Sequence, residues 1–270
     1  MPDGSFIPGL VIPPPTRYDR GRFSNGPVIV DYLAAKLSSA VKPSKTGFTL
    51  NKDSISYAYG GSESGIENYT PGSFLVPGLK GQVLQFENDL NINYLNFDNS
   101  LFVVLTGAND YLNNLSQGDS PNPFQIVDNI VISVNKLTEL GAKHVVVINL
   151  PDLGAAPICQ FFGACDLLTN LTETHNSLLT NSFQDNNRVI LFDAYSIVNK
   201  ILANPDRFGF STNIGPGPAT GCLFQSLSQF NIENCSLVDF NTKGIYWDEV
   251  HPSTKVHKIL ARSLWRQLKN

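Results

Sequence analysis

The sequence predicts an α/β fold, a single three-layer α/β/α domain over residues 1–270, and three observations predict it. The apolar runs LFVVL, HVVVINL and RVILF suit strands buried on both faces, the mark of a parallel sheet. Amphipathic stretches at helical spacing alternate with them. No internal repeat or linker breaks the 270 residues, a length that buries a full core.

In chain order, residues 1–26 read as loop, with Pro13, Pro14 and Pro15 and then RGRFSNGP. From Pro27 the pattern VIVDYLAAKLSSAV predicts a helix with Val30, Leu33, Ala34 and Leu37 on one face. A short strand is expected over Ser54–Tyr59, ending at Gly60-Gly61, where glycine allows φ > 0 or a close approach to a ligand. A helix over Leu79–Leu90 turns Val83, Leu84 and Phe86 inward. The strand in LFVVLTGANDYL leaves Asn109 and Asp110 just past its carboxyl end, where open α/β sheets bind ligands. Residues 124–140 form a helix with Ile126, Ile130, Val134 and Leu137 in register, and HVVVINLPDLG is a buried strand with its exit turn. A helix over Leu167–Phe183, a strand over Arg188–Asp193 and a helix over Ala194–Ala203 follow. A long Gly/Pro/Asn-rich loop then leads to YWDEVHPSTKVH and a last helix opened by Pro252, with Val256, Ile259, Leu260 and Leu264 at helical spacing.

A net charge of −4 without a basic block argues against nucleic acid and against an electrostatic membrane anchor. No apolar run approaches the roughly 18 residues of a membrane span. Cys159 and Cys165, and Cys222 and Cys235, suit two local disulfides better than a metal site, since no CxxC appears and no histidine lies at ligand spacing. Three pairings remain open. A Cys222–Cys235 bridge would staple the loop that delivers Asp248, worth about 3 kcal/mol by loop entropy. Asn68, Asn114, Asn170 and Asn234 each head an N-x-[ST] sequon, in keeping with an exported protein, while the opening MPDGSFIPGL lacks the basic start and apolar run of a signal peptide. There is no P-loop, no G-x-G-x-x-G and no G-x-S-x-G, so no nucleotide and no nucleophile elbow of that kind is expected.

The chemistry centres on Asp248-x-x-His251. A carboxylate beside an imidazole accepts from Nδ1, fixes the tautomer and leaves Nε2 to take a proton from a nucleophile. Asn109 offers a side-chain amide to a developing oxyanion, although Asn-Asp after a strand is also ordinary turn chemistry. Gly61 is a turn glycine whose N–H is also free to point into a site. His257 is expected to be exposed, and His144 and His175 have no chemical partner in the sequence.

Gly60-Gly61 in SYAYGGSESG, Gly107-x-Asn109-Asp110 and Asp248-x-x-His251-Pro252, in this order, resemble the GDSL lipase/esterase branch of the SGNH hydrolases. GRFSNGP, VPGLKGQVLQF, VINLPDLG and YWDEVHPS extend the resemblance over residues 8 to 268. It implies a flavodoxin-like parallel sheet and a carboxylic ester hydrolase without metal or organic cofactor. His251 would be its general base, Asp248 the orienting partner, and Gly61 (N–H) and Asn109 (amide) two of three oxyanion donors. The family usually has Asn where Ser56 stands. It carries its nucleophile in a Gly-Asp-Ser block after the first strand, upstream of GRFSNGP. Gly118-Asp119-Ser120 has those letters in the wrong order and context, Ser5 lacks a strand ahead of it, and Ser24 belongs to GRFSNGP. The expectation is therefore a chain without the family's first central strand and serine, and with them any signal peptide. Residues 1–270 alone would then have essentially no esterase activity. The substrate would be a small-molecule, lipid or acylated-sugar ester, and the protein a secreted monomer. The alternative is a catalytically inactive fragment or a non-catalytic lipid- or glycan-binding protein of the same fold.

Overall fold

In the computed structural model, residues 5–7, 10–12, 18–44, 54–70, 75–93, 97–211 and 243–269 are described. Their elements, in order, are β1 (Ser5–Ile7), β2 (Leu10–Ile12), α1 (Ile29–Lys36), β3 (Val41–Pro43), β4 (Ser54–Ser56), β5 (Glu67–Tyr69), β6 (Leu75–Pro77) and α2 (Leu79–Asn93). There follow β7 (Leu101–Val104), α3 (Ala108–Gln117), α4 (Pro123–Glu139), β8 (His144–Ile148), α5 (Ile158–Phe162), α6 (Cys165–Phe183), β9 (Val189–Phe192), α7 (Ala194–Ala203) and α8 (Thr254–Gln267). The chain divides into two compact units. The first comprises Met1–Ser56, Ala156–Ile158 and Ser196–Asn270, and the second Tyr57–Ala155 and Cys159–Tyr195.

The second unit is built on a parallel sheet of order β7-β8-β9, with Val103 beside Val146 and Val147 beside Leu191. Val145, Val146, Val147 and Ile148 are all buried, so β8 is the two-faced strand that its unbroken apolar run predicts. Burying these four side chains contributes on the order of 10 kcal/mol before entropy. β7 departs from expectation. Leu101, Phe102 and Val103 are only half-buried and Leu105 lies beyond the strand, 51% exposed. Among the described residues β7 pairs only with β8, and an outer strand is covered less than a central one.

The helices follow their stripes. α4 buries Ile126, Ile130, Val134 and Leu137, and its start is fixed by the Asn122 side chain, which accepts from the N–H of Phe124, with Pro123 at the first position. α6 buries Leu168, Thr172, His175, Leu179 and Phe183 and packs on α4, which in turn packs on α2. In α2 the inward stripe is Leu79, Val83 and Phe86, while Leu84 faces outward at 44% exposure. Cys159 and Cys165 form a disulfide with Cα atoms 4.6 Å apart. Cys222 and Cys235 lie outside the described residues. No described helix is long and apolar enough to cross a membrane.

The first unit packs α1 against α8. α1 ends at Lys36, so its buried stripe is Ile29, Leu33 and Ala34, and Leu37, in a non-helical conformation at its end, is 55% exposed. The strand expected over Ser54–Tyr59 is only the three residues of β4, which pair in parallel with β3. The amino-terminal region is not all loop, because β1 and β2 pair antiparallel, Ser5 opposite Ile12. Pro252 does not open α8. It lies in a β-bridge with Tyr246, and Ser253 takes the capping position before Thr254.

Candidate active site

Residues 245–253 form a tight loop in the first unit. The N–H of Trp247 donates to the carbonyl of His251 (2.7 Å) and that of Ser253 to Ile245 (2.8 Å), so the chain doubles back between Asp248 and His251. Ile245, Tyr246, Trp247 and Asp248 are buried. The segment Tyr18–Asn25 lies against this loop. Ser24 Oγ donates to the carbonyl of Pro252 (2.9 Å), and Asn25 Oδ1 accepts from the N–H of Thr254 (2.8 Å). These bonds fix the entrance of α8 and with it His251, three residues before the helix.

Asp248 is wholly buried, and its carboxylate is closely satisfied. Oδ1 accepts from the backbone N–H groups of Val250 (2.8 Å) and His251 (2.7 Å). Oδ2 accepts from His251 Nδ1 (2.8 Å) and from the hydroxyl of Tyr18 (2.8 Å). Burial by itself pushes this carboxyl up, but the His251 imidazole and the N–H groups of His251 and Val250 outweigh it and hold it below its ordinary value. An ionised carboxylate only accepts, so Nδ1 is the donor in this bond. The His251 side chain is 31% exposed, and its ring stacks on Phe23 with centroids 4.9 Å apart. The pair is thus an imidazole held by a buried carboxylate, with part of its ring open to solvent.

Gly61 and Asn109 belong to the second unit, and the structure brings them together there. Gly61 takes φ +76°, and a Cβ in its place would lie 2.8 Å from Thr70 Cγ2, so the turn requires glycine. Its carbonyl accepts from Asn68 Nδ2 (2.9 Å). Asn109 stands in the first turn of α3, after Gly107 at φ +113°, and its Nδ2 donates to the carbonyl of Ser62 (2.9 Å). One amide hydrogen is thereby committed next to Gly61.

The turn is pinned residue by residue. Ser64 donates from its N–H and its Oγ (2.5 Å) to Asp110, and Asn129 Nδ2 donates to Ser64 Oγ. Asn113 Nδ2 donates to Glu63 Oε1 (2.7 Å), and the Glu63 carbonyl accepts from the N–H of Leu79 at the start of α2. Burial, with Glu63 nearby, raises the Asp110 carboxyl to about 6 against the bonds from Ser64. Asp110 therefore serves the turn and not a ligand.

The remaining candidates also find their places. His175 is buried, its Nδ1 3.0 Å from the Tyr111 hydroxyl, and burial lowers it to about 4, which makes it a neutral core histidine. His257 is not exposed as expected. Its Nδ1 is sealed from solvent, and burial, then His251, lower it to about 4. Ser24 is buried with its hydroxyl donating to the Pro252 carbonyl, and Ser120 follows the carboxyl end of α3. Of Ser5 only the strand pairing is described. Among the described residues no three His, Cys, Asp or Glu side chains gather as a metal site. Sequence reasoning missed Tyr18 and Phe23, whose signal, an aromatic on each side of RGR, gains meaning only through contact with Asp248 and His251.

The family model for GDSL-like lipase/acylhydrolase matches residues 3–264. A GDSL esterase/lipase of Arabidopsis thaliana is 26% identical, over 90% of this chain and 75% of the relative. Phosphatidylcholine-sterol acyltransferase of Aeromonas hydrophila is 25% identical, over 93% of this chain and 81% of the relative. Among solved structures, a catalytic mutant of an acetylxylan esterase from Geobacillus stearothermophilus is 14% identical. It aligns over 90% of this chain and 81% of that one, with a TM-score of 0.48.

Proposed function

The chain belongs to the GDSL-like lipase/acylhydrolase family and is an ester hydrolase, and from that premise we propose that His251 is the general base of a serine acyl-enzyme mechanism. Asp248 orients it, and the Gly61 N–H and Asn109 amide bind the oxyanion. The grip of the buried Asp248 carboxylate on His251 Nδ1 supports this most directly. His251 Nε2 takes the serine proton as Oγ attacks the ester carbonyl, and Asp248 stabilises the imidazolium. Collapse of the tetrahedral intermediate expels the alcohol, which takes the proton back from Nε2. Water then repeats the sequence on the acyl-enzyme and releases the acid. In this proposal the nucleophile is a serine outside residues 1–270, a reading supported by Ser24 being buried with its hydroxyl donating to the Pro252 carbonyl.

The test is an aryl acetate assay on the protein expressed from its natural gene together with the coding sequence upstream of Met1. His251→Ala should lower kcat by roughly 10⁴- to 10⁶-fold. Full activity in that variant would refute the assignment. We also place the protein outside the reducing cytoplasm as a monomer acting on lipid, acylated-sugar or small esters, in keeping with the Cys159–Cys165 disulfide. Of the described sequons only Asn170 has an exposed side chain, since Asn68 is buried and Asn114 half-buried. Secretion from a eukaryotic host should therefore attach glycan there, seen as a mass shift lost in Asn170→Gln, and a dimer in light scattering would refute the monomer.

A further inference from the structure

We propose that Tyr18 is a positioning residue for this base: its hydroxyl, donating to Asp248 Oδ2, sets how much negative charge the carboxylate presents to His251 Nδ1, and so how basic Nε2 is. This rests on His251 being the general base, as proposed above. The contact is 2.8 Å long, between a tyrosine 1% exposed and an aspartate 0% exposed. Away from water such a bond keeps its electrostatic strength. His251 Nδ1 lies 2.8 Å from Oδ2 and 3.0 Å from Oδ1, which also accepts two backbone N–H groups, so the tyrosine donates to the carboxylate oxygen nearer the imidazole. The hydroxyl is not free to swing away. Tyr18 is held edge-on by Phe23 (5.9 Å) and Trp247 (6.5 Å), and Phe23 stacks on His251 itself. Filling this space would need only an apolar ring, whereas a phenol aimed at a buried carboxylate adds a proton donor that packing does not require.

The direction of the effect follows from the charge. A donor on Oδ2 disperses part of the carboxylate's charge. Without it, Asp248 holds the imidazolium more strongly, and the His251 pKa rises. Among the described residues, Glu249 shares the loop with His251, and His257 on α8 interacts with both His251 and Asp31, which forms an ion pair with Arg22. None of them is altered by Tyr18→Phe, so a shift in that variant reports on Asp248.

The experiment is an NMR titration of the His251 ring in residues 1–270, for the wild type and Tyr18→Phe, with the Trp247 indole resonance reporting the packing of the loop. The His251 midpoint should rise by roughly half to one pH unit in Tyr18→Phe. Fluorotyrosine installed at position 18, a stronger donor, should move it the other way. In the ester-hydrolysing protein the acid limb of kcat/KM should follow the same shifts, with KM changed by less than about twofold. A midpoint that neither substitution moves overturns the proposal, as does a shift of the same sign in both. The two levels separate cleanly. Activity retained in His251→Ala refutes the base assignment, whereas activity lost there with an unmoved midpoint refutes only the role of Tyr18.

Discussion

At Asp248 the proposed chemistry turns on a carboxylate that can only accept from His251 Nδ1. Asp248→Asn keeps the shape but can present an amide N–H to Nδ1, which drives the imidazole toward the wrong tautomer, and kcat should fall by about 10⁴ in steady-state assays. The carboxylates also respond to pH in opposite ways. Asp248 and Asp31 are held below their ordinary values, burial being outweighed by His251 in one and by Arg22 in the other. Their contribution to stability is present above the unfolded carboxylate pKa of about 4 and is lost as pH falls through the folded value. Asp110 is raised to about 6 by burial, so the folded state binds its proton more tightly than the unfolded state between about 4 and 6. The wild type therefore gains stability from this residue as pH falls through that window. In urea unfolding, the stability of the wild type minus that of Asp110→Asn should increase from pH 7 to pH 4.5, and a constant difference would contradict the assignment. Asp248 and His251 were legible in the sequence because both sit in one short loop. Tyr18 was not, since its partner lies 230 positions away and no local pattern marks the contact. His257 was misjudged because helix position alone does not show which residues shield a ring nitrogen.

Among the elements, those set by local periodicity were the most legible. α4 follows its stripe and its Asn122 cap as expected, and the apolar run of β8 is buried throughout. The losses came where tertiary contacts decide. Leu37 and Leu84 have the right composition for a core face, but the end of α1 and the orientation of α2 leave them outside. The β1–β2 pair was hidden in a stretch rich in proline, although Pro8-Gly9 between Phe6-Ile7 and Leu10-Val11-Ile12 is itself a turn signal in the sequence. The β7-to-α3 junction gives a sharper test. A Cβ at Gly107 would lie 2.7 Å from His175 Cε1 on a backbone at φ +113°. Strain and overpacking together predict that Gly107→Ala destabilises the protein by about 2–4 kcal/mol. Thermal denaturation should show a lowered Tm, and kcat should fall with it because Asn109 stands two residues on.

The whole chain interleaves its two units, leaving the first at Tyr57, returning at Ala156, leaving again at Cys159 and returning at Ser196. Neither unit is a continuous stretch of sequence, so we expect them to unfold together. Calorimetric and van't Hoff enthalpies should then agree, and two resolved transitions would speak for independent domains. A sequence pattern lists elements but not which compact unit each joins, so this arrangement was not legible beforehand. The bond between Tyr18 and Asp248 has a further consequence, for the order of folding. It joins residues 230 positions apart, whereas β7, β8 and β9 are gathered from about ninety residues of chain. Contacts of high sequence separation carry the larger closure entropy and tend to form late. On dilution from denaturant, far-ultraviolet ellipticity from the sheet and its helices should therefore return ahead of Trp247 fluorescence, read in a Trp265→Phe background. The base would be the last part of the protein to mature.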